Sequence, residues 1–225
     1  MYRKTFYALA GAAALAMAAP SANAAVTFFG YQTALNADET LVTAFEGGPT
    51  LADLSLLSGF SLTGTGALFT GSVPKIAAAP AFSATTHDET QYLVLQKNKT
   101  AALDTPEISA ISFYIGSLDS WNSFTFHLAN GTTEVVTGAV LAALPGMSAN
   151  GSQTGFTSNG RLRFSFDSAI TGVDFFSAGN SLEISDIAAV TPFALVPEPA
   201  AWGLMLLGFG GVGALMRRRG ATAFA

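Results

Sequence analysis

Between about residue 105 and residue 190, apolar and polar residues alternate one by one. Ile111, Phe113 and Ile115 alternate with Ser112, Tyr114 and Gly116, and Phe124, Phe126 and Leu128 with Thr125 and His127. Leu162, Phe164 and Phe166 alternate with Arg161, Arg163, Ser165 and Asp167, and the period continues through Val173 and Phe175 to Leu182 and Ile184. A period of two, built from aromatic and β-branched residues, is the pattern of a strand that buries one face. Turn residues separate the runs at Leu118-Asp119-Ser120, Asn130-Gly131, Ser158-Asn159-Gly160 and Ala178-Gly179-Asn180. Asn130-Gly131 between two runs predicts a hairpin. Further upstream, residues 26–31, 40–45 and 91–96 read as strands, 51–57 as a strand or a helical turn, and 76–83, with Pro74 and Pro80 nearby, as a loop. No amphipathic helix is evident between 105 and 190. Short strands at this spacing predict an all-β fold: a single β-sandwich, jelly-roll-like, over residues 25–196.

The two ends have a different pattern. Arg3 and Lys4 precede an uncharged Ala/Leu-rich run from Phe6 to Ala19, Pro20 breaks it, and Ala22-Asn23-Ala24 supplies small residues at the cleavage positions. This is the order of a secretory signal peptide, residues 1–24, leaving Ala25 as the mature N-terminus. At the other end, Pro197-Glu198-Pro199 and Trp202 lead into an uncharged run, 200–216, that stops at Arg217-Arg218-Arg219. As a helix this run reaches about 25 Å, close to the ~30 Å of a hydrocarbon core. Trp202 suits one interface, and the three arginines would hold the far end in the cytoplasm. The expected precursor is thus a β ectodomain between a signal helix and a C-terminal transmembrane helix. The glycines 208-210-213 fit G-x-G-x-x-G, but no strand precedes them and the chain ends without the acidic residue that dinucleotide binding needs. They read as small residues on a membrane helix.

The tail VPEPAAWGLMLLGFGGVGALMRRRG resembles the PEP-CTERM sorting signal in its PEPxxWA variant, with Gly203 where the variant usually has Ala. The matching positions are Pro197, Glu198, Pro199, Trp202 and Arg217 to Arg219. The resemblance implies a Gram-negative source, export, an inner-membrane intermediate, processing near the Pro-Glu-Pro by exosortase after signal peptidase has acted, and delivery to the cell surface or an exopolysaccharide-rich extracellular matrix. The stretch from Ser112 to Ala188 is also similar to a β-module that recurs in proteins with this tail. That module often ends in Asp-Asn, where Ser185-Asp186 stands here.

Charge sharpens this picture. The whole chain carries a net charge of −5. The middle holds five basic residues (Lys75, Lys97, Lys99, Arg161, Arg163) against fourteen acids, a net −9 for residues 25–196. An acidic exterior argues against nucleic-acid binding. The absence of cysteine excludes disulfides, thiolate metal sites and a cysteine nucleophile.

Catalytic signatures are missing. There is no H-E-x-x-H, H-x-H or G-x-S-x-G. His127 falls on the polar phase of a strand, and His87-Asp88-Glu89 reads as a solvated turn. Asp119, Glu183 and Asp186 lie at strand ends or in the last strand and are candidates for a structural calcium ion, which takes oxygen ligands from loops. No other cofactor is expected. The functional expectation is a non-enzymatic surface or matrix protein with a structural or adhesive role beside exopolysaccharide. The alternatives are a carbohydrate-binding module using exposed Tyr114 or Trp121, with Tyr92 a further candidate, or a secreted glycan hydrolase with paired carboxylates.

Overall fold

A computed structural model describes residues 25–191. The signal segment with Ala22 and Ala24, and the tail with Pro197, Glu198, Pro199, Trp202 and Arg217 to Arg219, lie outside the described residues. Within them are ten strands: β1 (Ala25–Gly30), β2 (Thr40–Thr43), β3 (Ser61–Gly64), β4 (Ala67–Thr70), β5 (Gln91–Leu95), β6 (Lys99–Gly116), β7 (Asn122–Leu128), β8 (Thr133–Thr137), β9 (Gly160–Ser177) and β10 (Leu182–Val190). A 3-10 turn at Leu51–Asp53 and one four-residue helix, α1 (Gly138–Leu141), complete the elements. The chain is all-β, as the alternation predicts. Among the described residues no helix is long and apolar enough to cross a membrane.

All strand pairs are antiparallel and join in one ten-stranded sheet. Two 18-residue strands, β6 and β9, form its spine. They pair along their length, with register slips between Asp104 and Ile108 and between Ile108 and Ala110. Pro106 falls in the first slip, a position where its missing N–H costs no ladder hydrogen bond. Before the slips the spine is flanked by β3 on β6 and β7 on β9, with β8 beyond. After them it is flanked by β10 and β1, and β10 goes on to pair with β2 and β5. The one sheet thus has two halves sharing a spine.

The halves face each other across a single core. Phe113 of one half meets Phe124 and Phe175 of the other at centroid distances of 4.9 and 5.3 Å, and Phe126 meets Phe164 at 4.7 Å. These rings come from the apolar phase of each strand, so the period-2 pattern is what delivers them to one interior. Each fully buried ring contributes about 1.5–3 kcal/mol relative to exposure. The Asn130-Gly131 hairpin forms between β7 and β8: Gly131 has φ +81°, and Asn130 Oδ1 accepts from the Thr132 amide at 2.9 Å.

The alternation misleads on the outer face of the half that contains β10. Residues 31–39 and 72–90 lie across it. Arg161, in the polar phase of β9, is fully buried. Its Nη2 donates to Asp186 Oδ2 at 2.8 Å and to the Thr33 carbonyl at 3.0 Å. Tyr92 and Tyr114 are likewise fully buried, and burial pushes both phenols well above their ordinary range. The side chains that should meet water meet a covering loop instead.

Candidate functional site

A cleft of about 450 Å³ opens where four segments converge: the loop Ser72–Ala78, the turn after β6 at Ser117–Asp119, the loop around Gly151 and Gln153, and the turn from Asn180 into β10. Two carboxylates, Glu183 and Asp119, are among its lining residues, and so is Lys75.

Glu183 is the second residue of β10, opposite Val94 of β5 and Gly116 of β6. Only 1% of it is exposed. The Ser117 hydroxyl donates to its Oε2 at 2.8 Å, the Ala78 amide donates to its Oε1 at 3.2 Å, and the Ser181 hydroxyl also donates to Oε1. The carboxylate therefore ties three of the converging segments together. Burial raises its pKa to about 6; the three donors offset part of that rise, and the nearby Asp119 charge adds to it.

Asp119 is held by its backbone. Its N–H donates to Asn122 Oδ1 at 2.8 Å, its carbonyl accepts from the Asn122 amide at 3.1 Å, and the neighbouring Leu118 carbonyl accepts from the Gly151 amide at 3.0 Å. Its carboxylate accepts no hydrogen bond among the described residues. The residue is 7% exposed, and burial pushes its pKa up to about 6. Both oxygens face the bare side of Gly151, where a Cβ would stand 2.5 Å from Oδ1 and 3.2 Å from Oδ2. Only glycine leaves room there, and its φ of +67° suits glycine as well.

Of the three acids expected at a calcium site, the fold brings Asp119 and Glu183 into one cleft. Asp186 does not line it; it is paired with Arg161. Among the described residues no group of three or more His, Cys, Asp or Glu side chains is placed to hold a metal ion.

Tyr114 corrects the expectation of an exposed aromatic. The loop crossing the outer face buries it, its hydroxyl donates to the Ala81 carbonyl, and Phe82 meets its ring edge-on at 5.1 Å. Tyr92 is buried in the same way and donates to the Gly71 carbonyl at 2.8 Å. Trp121 is exposed, at 43%. Its indole lies against Gly179, where a Cβ would come within 2.3 Å of Nε1. That places it beside the turn that supplies Asn180 and Ser181 to the cleft. The turn at His87 to Glu89 is not simply solvated: Asp88 is buried and accepts from the Thr90 amide at 2.8 Å and from the Ser185 hydroxyl. His127 pairs with Asp174 at 2.8 Å on the polar face of β7 and β9, both side chains about half exposed.

Sequence reasoning missed Ser117, Ser181, Gly151 and the Ala78 amide, whose roles arise from long-range convergence. It also missed Arg161. One local signal was available: Glu183 stands between Leu182 and Ile184 at the start of a strand with almost no exposed position.

Residues 195–219 match the PEP-CTERM protein-sorting motif. No curated protein matches the chain. Several solved structures overlap weakly. CpGH89CBM32-6 from Clostridium perfringens is 13% identical, with 60% of this chain and 96% of that one covered and a TM-score of 0.32. The carbohydrate-binding module CBM6cm-2 of Cellvibrio mixtus lichenase 5A, in complex with cellotriose, is 11% identical, with 68% and 99% covered and a TM-score of 0.30. The catalytic unit of a GH87 α-1,3-glucanase from Streptomyces thermodiastaticus is 14% identical, with 58% and 25% covered and a TM-score of 0.30. Overlap of this extent is too small to assign a fold or an activity.

Proposed function

We propose that this chain is an exosortase substrate whose folded part, residues 25–196, works outside the cell as a structural or adhesive component of an exopolysaccharide matrix. The observation that carries the reading is the sorting motif at 195–219, a signal that implies export and cell-surface sorting. In this reading residues 1–24 are removed on export, and residues 197–225 anchor an intermediate in the inner membrane of a Gram-negative cell until exosortase acts near Pro197-Glu198-Pro199. The folded-over sheet is read as a jelly-roll-like sandwich. Its net charge of −9 over residues 25–196 suits a hydrated exterior and gives no grip on anionic polymers. The role assigned needs no catalytic residue and no cofactor.

Cell fractionation with and without residues 197–225 tests the proposal. The full chain is expected in the membrane fraction as a precursor and at the surface or in the medium as a shorter product. The truncated chain is expected to lose the membrane-bound step. Identical distribution and processing of the two would overturn the sorting assignment.

A further inference from the structure

We infer that the Asp119–Glu183 cleft binds a neutral glycan, with Trp121 as an aromatic wall at its rim. The inference rests on the reading that the folded part meets polysaccharide outside the cell, and it gives that reading a site. It starts from Asp119. Asp119 is 7% exposed and accepts no hydrogen bond among the described residues; its oxygens are open to the cleft, and burial of the residue costs them part of their hydration. A ligand with O–H donors removes the cost. Two adjacent sugar hydroxyls can each donate to one of its oxygens from the cleft side, while Gly151, having no Cβ, lets the carboxylate lie close against the opposite loop.

The rest of the lining decides the charge of the ligand. Two carboxylates disfavour an anion. Lys75 shares the same wall, and Glu183 already has its three donors, which leaves little for a bare divalent cation to coordinate. Gln153, an amide with both donors and an acceptor, and the lone pairs of the Ser117 hydroxyl provide a mixed set that matches an uncharged polyol. A volume of about 450 Å³ lies within the range of small-molecule sites. Trp121 sits two residues from Asp119 and lies against Gly179, next to Asn180 of the cleft. Its 43% exposure leaves an indole face free for the C–H surface of a sugar ring.

The test is titration of the full-length chain in detergent with maltotriose, laminaritriose and mannotriose, followed by calorimetry, with calcium chloride in a separate arm. At least one trisaccharide is expected to bind saturably in the micromolar to millimolar range, roughly Kd 10⁻⁵ to 10⁻³ M. Asp119→Asn, which keeps the shape and removes the charge, is expected to weaken that binding tenfold or more. Trp121→Ala is expected to do the same while the protein keeps a cooperative melting transition. The inference is overturned if none of the three sugars binds, or if both variants bind as the parent does. It is equally overturned if only calcium binds and Asp119→Asn abolishes that. Because the measurement uses purified protein, it can fail while the fractionation result stands, and the reverse.

Discussion

At the scale of single residues, the cleft stores an unfavourable charge. Asp119 and Glu183 both have pKa values of about 6 in the folded chain, raised chiefly by burial, from 3.8 and 4.5 for the free side chains. Between those limits the folded state binds more protons than the unfolded state, so acid favours folding. The contribution of these two carboxyls is therefore fully present below about pH 4 and is lost as pH rises through 6, on the order of 2 kcal/mol for Glu183 and less for Asp119, whose oxygens keep contact with solvent. Asp186 has the same sign, its pKa being raised by burial against the pull of Arg161. Asp38 has the opposite sign: its bidentate partner Arg163, at 2.7 and 2.6 Å, holds its pKa down. Its side chain is 53% exposed, so solvent weakens that contribution. The expected outcome is a melting temperature that falls between pH 4 and pH 7, in scanning calorimetry at constant ionic strength. Asp119→Asn should raise the melting temperature at pH 7 and leave it nearly unchanged at pH 4; a flat profile in the parent chain would rule out both buried acids as its source.

At the scale of elements, the segment 72–90 is a lid held by polar contacts as well as by a small apolar patch, in which Ala77 and Ala79 pack on Tyr92 and Val94. Beyond its bond from Ala78 to Glu183, Asn159 Oδ1 accepts from the Ala81 amide at 3.2 Å, Ala81 accepts from Tyr114, and Asp88 accepts from Ser185. Tyr114→Phe removes one such tie and leaves a buried carbonyl without its donor, at a cost of about 1–2 kcal/mol. The expected readout is faster cleavage by chymotrypsin at Phe82, with the spine strands protected as before. This lid also marks where sequence and structure part. The inner face of β6, β7 and β9 was readable because its apolar positions keep period two on either side of the register slips, and Asn130-Gly131 announced its own turn. The outer face was not, because period two separates the two sides of a strand but cannot say whether the polar side meets water or a returning loop. Arg161 and Tyr114 look like surface residues for that reason. The four-residue strands β3 and β4 escaped because Ser61–Gly64 and Ala67–Thr70 are too short, and too rich in Gly, Thr and Ser, to show a period. The site was half legible: Asp119 and Glu183 stood out as acids near turns, whereas Gly151 and the serines that shape the cleft join it only through contacts distant in sequence.

At the scale of the whole molecule, the two halves of the sheet should not unfold separately. Both are built on β6 and β9, so melting one half strips a ladder from each spine strand. Phe113 adds a direct link, touching Phe164 on its own half and Phe124 and Phe175 on the other. With no cysteine in the chain, no disulfide can hold one half while the other opens. One cooperative transition is therefore expected on urea denaturation. The chain has two tryptophans, and replacing Trp202 by Phe leaves Trp121, immediately before β7, as the sole indole reporter. Its fluorescence reports the half containing β7 and β8, while far-UV circular dichroism reports all ten strands. The two signals should share one midpoint. Phe113→Ala should lower that midpoint in both by the same amount, the loss being about 3–5 kcal/mol for a buried ring with three aromatic neighbours. Two separated midpoints, or a Phe113→Ala shift confined to one probe, would mean that the shared strands do not couple the halves. The cleft would then rest on segments able to open independently of one another.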